Sequence, residues 1–371
     1  MRGALITAAL AATTTALNAP LPVARRRTQL ARRRTQQLRA GGDAAAAAAA
    51  IDGLWSLEAT QAGPRRARYT REAHEATHAV LWGVEQWEQH TARDRYFRVL
   101  LQWPGSRLAR GLAPTLAMLA AWSYVVWWKR LTVTANGLGL LASPITLLLA
   151  FRVNSCVARF HAARETWGAM IHSARNLAGT IAATAPDEAS PAARARICRY
   201  LVAYAWAAKV FAALDDRETL GPVLSALLPA EDADRVAAAR KPALAALALL
   251  RRETIALPFK GAHVERSVHA DVAALGRLYG GIERVVSTPL APMYMRHYQR
   301  GLLLWLIALP CGLLKAGCTT PAKLAAVVCA VSYLMLGIDE IGIQIEQPFA
   351  VMPVHDLAKG LTLDAAEELL A

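Results

Sequence analysis

Two adjoining apolar runs dominate the hydropathy pattern of the chain. The first covers residues 111–128 without a charged side chain and is closed by Lys129-Arg130. The second covers residues 131–151, again uncharged, and is closed by Arg152. Because about 20 consecutive apolar residues cross a bilayer as a helix, both runs predict transmembrane helices. A tryptophan pair ends the first run, a typical position for an anchor at the membrane interface.

Two shorter apolar runs lie nearer the C-terminus, at residues 301–314 and 324–338. Each is shorter than a lipid-exposed span requires. Tyr298 and residues 342–345 would extend them to spanning length. Otherwise they are buried core helices, and periodicity does not separate these alternatives.

The stretch between the two pairs of runs is polar and helical in pattern. Residues 154–185 and 191–290 carry charges among spaced apolar positions, without the alternation of a strand. Loops are expected near Gly221-Pro222 and Leu257-Pro258. The pattern predicts an all-α, polytopic membrane protein with a large soluble helical domain, and it has four transmembrane helices if both shorter runs span the membrane.

The segment before the first run has its own pattern. Residues 65–100 show the spacing of an amphipathic helix at a membrane surface. Pro104-Gly105 interrupts this pattern, and Ser106 is placed to cap a new helix.

Composition refines the class of membrane protein. The 371 residues are 55% hydrophobic, with a mean hydropathy of +0.25, a moderate excess that suits a few membrane helices attached to a polar part. Half of the net charge of +14 lies in residues 1–50, which hold eight arginines and one acid, Asp43. Half of the basic character is therefore a property of the N-terminus, which weakens the prediction of nucleic-acid binding by the rest of the chain.

The N-terminus has the composition of a targeting sequence. Arg2 precedes an apolar stretch, residues 4–20, that is too short to span a bilayer. An acid-free stretch rich in Arg, Thr and Gln follows, typical of an organelle transit peptide. The combination resembles the bipartite presequence of algae with complex plastids, although the junction at residues 16–20 lacks the usual aromatic residue. The alternative is a disordered basic arm that binds nucleic acid or lipid.

These features divide the chain into four parts. We expect a presequence with a disordered Ala-rich linker over 1–50, an amphipathic helical segment over 51–95, a membrane domain over 96–357 and a tail over 358–371.

One catalytic pattern is present. His74-Glu75-Ala76-Thr77-His78 matches HExxH, which places two imidazoles on one helical face with a general base between them. Candidates for the third zinc ligand are Glu85, Glu88 and His90, but Leu81 stands where metzincins have glycine. The five cysteines form no CxxC pair and indicate neither a disulfide framework nor a zinc site. We therefore expect no catalytic residues, metal or cofactor, and keep a membrane-anchored zinc protease as the alternative.

Four segments flanking the apolar runs resemble the bestrophin family. Phe151-Arg152-Val153-Asn154-Ser155, followed by Arg159, Arg164, Trp167-Gly168 and Ser173 to Leu177, is similar to F-R-x-N-S-x-Y-x-R-W-W-E-A-R-x-x-W-G with S-R-N-L. The segment from Gly337 to Phe349 is similar to G-x-x-E-I-G-x-x-I-E-x-P-F. Trp103-Pro104-Gly105-Ser106 resembles the lead-in to the first span, and Glu283 to His297 resembles E-R-I-x-x-T-P-x-P-x-x-Y-x-x-H. The similarity covers about residues 95 to 357 in the family's order.

The sequence departs from the family pattern at two places. Val157 and Ala158 replace the tyrosine and its neighbour, and Phe160, His161 and Ala162 replace the two tryptophans and the glutamate. After Phe349 the acidic cluster that binds calcium in animal members is absent. The short motif there is similar to plant and cyanobacterial members, which implies no calcium gating.

The resemblance implies a homopentameric anion channel with one central pore. Its neck is lined by three rings on the second span, which fall on Ser143, Leu147 and Phe151 here. The spacing i, i+4, i+8 puts these residues on one helical face, and Ser143 stands where an apolar ring is usual. Further motif residues near the pore are Arg152, Asn154, Arg159, Glu340, Glu346, Pro348 and Phe349.

Arg152 has two interpretations, a cation that concentrates anions beside the neck and a salt-bridged residue at the membrane boundary. The expected function is passive conduction of chloride or bicarbonate in a plastid membrane, the thylakoid. Expected partners are identical subunits, membrane lipid and monovalent anions, without nucleic acid. A non-conducting membrane scaffold is a further alternative.

Overall fold

The computed structural model describes residues 42–57, 81–103, 106–184, 191–259 and 261–370, and these residues form helices and no strand. The all-α prediction is therefore confirmed over the described ranges. The helices before residue 190 are α1 Gly42–Leu54, α2 Val84–Thr91, α3 Arg95–Gln102, α4 Arg107–Lys129 and α5 Ala135–Thr184. Those after it are α6 Pro191–Ala212, α7 Leu220–Leu227, α8 Ala230–Ala238, α9 Pro242–Ile255, α10 Ala262–Ser287, α11 Pro292–Lys315, α12 Pro321–Glu346, α13 Pro348–Val351 and α14 Val354–Leu370.

The chain divides into two compact units. We call residues 85–165 and 284–351 the hairpin unit, and the described residues up to 84 with 166–283 and 352–370 the Trp206 unit.

The hairpin unit consists of long apolar helices that run back and forth. At one end the Trp127 indole N–H of α4 donates to the Thr319 carbonyl, 2.7 Å away, and at the other end Leu108 packs on Gly337. Helices α4 and α12 are therefore antiparallel. Tyr294 of α11 donates to the Leu148 carbonyl of α5 at 2.8 Å, which joins the remaining pair.

Apolar side chains from all four of these helices form one core. The core residues are Leu112, Leu119, Leu149, Tyr298, Leu302, Leu306, Leu309, Val328 and Leu336. The three helices α4, α11 and α12 have 23, 24 and 26 residues. At about 1.5 Å per residue each exceeds the roughly 30 Å of a hydrocarbon core. Residues 136–184 and α12 are long and apolar enough to cross a membrane by length and composition.

The predicted start of the first long helix is confirmed. Ser106 has an extended backbone, and its Oγ accepts the Ala109 N–H at 3.0 Å. This bond satisfies one of the donors that every helix N-terminus leaves without an intrahelical partner.

The second apolar run and the polar stretch after it differ from the prediction. Residues 131–134 form a connection, and one continuous helix, α5, runs from Ala135 to Thr184. The change from apolar to polar composition marks a change of surroundings, and nothing at this change ends a helix. Pro144 lies inside α5, where it removes one backbone donor.

Two expectations about the ends of the chain are corrected. The Ala-rich linker at 44–50 belongs to α1, whose Ala47, Ala48, Ile51 and Leu54 are buried. Alanine has the best helix propensity, and its small side chain permits close packing. The tail at 358–371 is instead mostly α14, which begins at Val354.

The loop expected near Gly221-Pro222 lies in the first turn of α7, where a missing proline N–H costs nothing. The loop at Leu257-Pro258 is confirmed between α9 and α10.

Helix α6 forms the centre of the Trp206 unit and packs against α1, α7, α9 and α14. Several of its buried polar groups are paired. The Tyr204 hydroxyl donates to the Leu275 carbonyl at 2.8 Å, and the Trp206 indole donates to Thr362 Oγ1 at 3.1 Å. Lys209 and Asp215 form a buried ion pair with a 2.5 Å N–O distance. These bonds offset the cost of enclosing polar atoms in an alanine-rich core.

Candidate functional site

Helix α5 presents the three predicted neck residues on one exposed face. The side chains of Leu147 and Phe151 are 54% and 56% exposed, and Ser143 is also exposed. Because Leu147 and Phe151 lie about one turn apart on the same helix face, they form part of an apolar patch, a feature typical of surfaces that meet protein or lipid. Leu149, which lies between these two residues in sequence, and Arg152, which follows Phe151, are buried inside the hairpin unit.

Arg152 lies on the buried face of α5. Its side chain is fully buried and forms an ion pair with the Asp339 carboxylate of α12. Its Nη1 also donates to the Asp339 carbonyl at 3.3 Å, and its guanidinium lies 5.8 Å from the Tyr298 ring centre. This geometry corresponds to the salt-bridged interpretation of Arg152.

Arg159 joins the C-terminal ends of two helices. Its Nε donates to the Glu346 carbonyl at 2.7 Å and its Nη1 to the Thr288 carbonyl at 2.6 Å, while its Nη2 donates to the Val285 carbonyl. These carbonyls belong to the C-terminal ends of α10 and α12 and the residue after α10. A guanidinium suits this position because terminal carbonyls lack intrahelical donors and carry partial negative charge.

The remaining predicted motif residues lie at the same end of α12 or on α5. Glu346 Oε1 accepts the Leu290 N–H at 3.2 Å, and Glu340 Oε1 accepts the Gln344 amide at 3.4 Å. Pro348 and Phe349 are buried, and Asn154 is exposed on α5. The structure thus brings Arg159 and Glu346 together and leaves Asn154 apart from them.

Asp339 is the residue that sequence reasoning missed as a partner. A signal was present, because Asp339 and Arg152 both adjoin apolar runs and ionisable groups in such places usually pair. Nothing in the sequence, however, indicates which cation faces which acid across 187 residues.

The HExxH segment at 74–78 lies outside the described residues. Of the third-ligand candidates, Glu85, Glu88 and His90 lie on the short helix α2 and are exposed. No group of three or more His, Cys, Asp or Glu residues in the described ranges is arranged to hold a metal ion. The five cysteines are free.

Burial changes the acidity of several groups in the Trp206 unit. It raises the pKa of the Cys198 thiol to about 12, so the thiol stays protonated. Burial, then the hydrogen bond to Asp232, raises the pKa of Tyr200 to about 12. Burial also raises the pKa of Asp356, while the Leu81 N–H and Lys359 lower it in part.

Comparison with known proteins agrees with the motif resemblance. The family model for the Bacterial/Fungal Bestrophin protein matches residues 86–367. A Ralstonia nicotianae protein named voltage-dependent anion channel-forming protein is 32% identical over 278 residues, 71% of this chain and 87% of its own length. An Arabidopsis thaliana protein named voltage-dependent chloride channel 2, chloroplastic, is 23% identical over 292 residues, 75% of this chain and 70% of its own.

A solved structure shares the fold. The crystal structure of a Klebsiella pneumoniae bestrophin homologue, carrying a mutation, superposes with a TM-score of 0.62 at 23% identity. The match covers 70% of this chain and 100% of that one. Since the family model spans most of the chain and the Ralstonia relative exceeds 30% identity over more than two thirds of it, the chain belongs to the bestrophin family.

Proposed function

We propose that this protein is an anion channel, a homopentamer in which five copies of α5 line one pore. The observation that carries the proposal is the exposed face of α5 in a chain of this family. More than half of the Leu147 and Phe151 side chains is exposed there, as expected for side chains that meet their symmetry copies. The names of the relatives, anion channel-forming and chloride channel, support the same function.

Leu147 and Phe151 would form two apolar rings, with Ser143 as a third and polar ring. An apolar constriction gates by dewetting, because water leaves a narrow hydrophobic neck more readily than a polar one. Phenylalanine rings turned edge-on present their partially positive hydrogen atoms to a passing anion. Ser143 would make one end of the neck easier to wet.

The charge along the chain favours anions. Between Asp94 and Glu165 there is no acidic side chain, whereas α5 carries Arg152, Arg159 and Arg164 in that stretch. Cation channels concentrate their ions with rings of Asp or Glu. The first thirty residues of the lining helix offer no such ring.

Location and regulation complete the proposal. The bipartite N-terminal composition and the chloroplastic relative support a plastid membrane, with the thylakoid as our proposal. Chloride and bicarbonate are the candidate permeant ions. Residues 350–354, after Phe349, are Ala-Val-Met-Pro-Val and supply no carboxylates for calcium, so we propose gating that is independent of calcium.

Reconstitution in planar bilayers tests the function. We expect currents whose reversal potential follows the anion gradient, unchanged by calcium chelation. Cation-selective current, or none, would refute the proposal. Stoichiometric zinc that is lost in His74→Ala would instead favour the protease.

Phe151→Ala tests the neck. Removing the phenyl ring widens and wets the constriction, so we expect a higher open probability and a larger leak. Met118→Ala is the matched control, because Met118 is 63% exposed on α4 of the same unit. Equal currents in both variants would show that the neck lies elsewhere.

A further inference from the structure

Two arginines of α5 contact residues of α12, and the sequence separation between the contacting residues is the same for both. Arg152 contacts Asp339 and Arg159 contacts the Glu346 carbonyl, and both pairs are 187 residues apart. Seven residues are about two helical turns, so both arginines lie on one face of α5. The equal offsets mean that α5 and α12 run parallel in a fixed register here.

The Arg152–Asp339 contact is enclosed. Arg152 is 0% exposed and Asp339 8% exposed. Gly342, about one turn after Asp339, lies against the guanidinium, and a Cβ there would be 3.6 Å from Arg152 Cζ, at ordinary van der Waals distance. The Tyr298 ring lies over the same guanidinium. The cation is therefore held by Asp339 and the Tyr298 ring and packs against Gly342.

A buried ion pair of this kind contributes more to the choice of geometry than to stability. Removing charges from water costs about as much as their attraction returns, and apolar replacements are often as stable. A misplaced buried charge is very unfavourable, however, so the pair penalises other rotations of α5. A shift by one residue would turn α5 by about 100° relative to α12 and break the contact.

Arg152 immediately follows Phe151, whose ring faces outward from the same helix. We propose that the buried Arg152–Asp339 pair is a positioning device for the neck, which fixes the rotation of α5 so that Phe151 faces the pore axis. The role of the pore in this statement rests on the proposed channel function, whereas the rotational lock does not. Arg159 holds the same register two turns below.

The test removes both charges together, so that neither remains buried alone. The variant is Arg152→Gln with Asp339→Asn, prepared with Phe151→Cys in a background where the partly exposed Cys318 and Cys329 are serine. The measurement is the rate at which a water-soluble thiol reagent modifies the cysteine introduced at position 151, followed by mass spectrometry. We expect a change of at least about twofold, the lower end of coupling between contacting residues. The relative permeability of chloride and nitrate, measured with Phe151 present, should change as well.

A second ion pair gives the control. Arg175 and Asp364, which are 57% and 33% exposed in the Trp206 unit, are replaced in the same way and should leave both readouts unchanged. Wild-type reactivity and permeability in the Arg152→Gln, Asp339→Asn variant would overturn the proposal. If that variant does not assemble, Arg152→Lys keeps the charge without the planar fork. Wild-type readouts in Arg152→Lys would equally refute a positioning role for the guanidinium.

The two proposals fail separately. A wild-type protein that passes no anions refutes the channel, and the thiol reactivity still reports the rotation of α5. A conducting protein with unchanged reactivity in the charge-free variant refutes only the positioning device.

Discussion

Replacing Arg159 by alanine removes the guanidinium that joins the ends of α10 and α12. Two of its three hydrogen bonds, to the Glu346 and Val285 carbonyls, are partly buried, and the bond to Thr288 is exposed. Hydrogen bonds to charged groups contribute about 1.5–3 kcal/mol each. With the lower value for the two partly buried bonds and nothing for the exposed one, Arg159→Ala should lower the free energy of unfolding by about 3 kcal/mol.

Two further variants make this prediction specific. Lysine has one ammonium group and does not span three carbonyls, so Arg159→Lys should recover only about half of the loss. Arg164 is exposed on the same helix, and Arg164→Ala should cost less than about 0.5 kcal/mol.

The assay is denaturant-induced unfolding in detergent micelles, followed by tryptophan fluorescence. Equal stability of Arg159→Ala and Arg164→Ala would refute the argument, and so would complete recovery by lysine.

Three other perturbations test the remaining parts of the structure. Gly342→Ala should be tolerated, because its Cβ would lie 3.6 Å from Arg152 Cζ, whereas Gly342→Leu should displace the guanidinium and reduce the yield of assembled protein in size-exclusion chromatography. Cys198, with its pKa raised to about 12 by burial, should resist iodoacetamide in the folded protein and react only after unfolding; rapid labelling of folded protein at pH 8 would contradict its burial. Burial raises the pKa of Asp356, so the folded state binds the proton more tightly than the unfolded state, and the stability from this group is present below the ordinary carboxyl pKa and lost as pH rises through the raised one. Asp356→Asn should flatten that part of the stability–pH curve, and an unchanged slope in thermal unfolding would refute the assignment.

Several helices could be predicted from local signals in the sequence. The break at Pro104-Gly105 and the cap at Ser106 predicted the start of α4, because capping depends on a few adjacent backbone groups. The long apolar runs predicted the long helices α4 and α5 for the same reason, since length and composition are properties of a single segment. The motif residues at the ends of these runs were enough to indicate the family.

The errors arose where a segment's structure depends on what packs against it. Residues 44–50 resemble a linker by composition, but α1 is buried by α6, α7 and α14 of the Trp206 unit. Residues 358–370 resemble a tail, yet α14 buries Leu361, Ala365 and Leu369. A short amphipathic or alanine-rich helix gains most of its stability from tertiary packing, which its own sequence does not contain.

Local periodicity and tertiary packing also determine different faces of α5 at the candidate site. The sequence by itself determined that Ser143, Leu147 and Phe151 share a face of a helix, because helical periodicity is local. Only the tertiary structure decided that the face with Arg152 is buried and that Arg152 pairs with Asp339, because that contact joins residues 187 positions apart. Which acid meets a buried cation depends on the relative rotation and register of two helices, and many side chains along both helices determine these together.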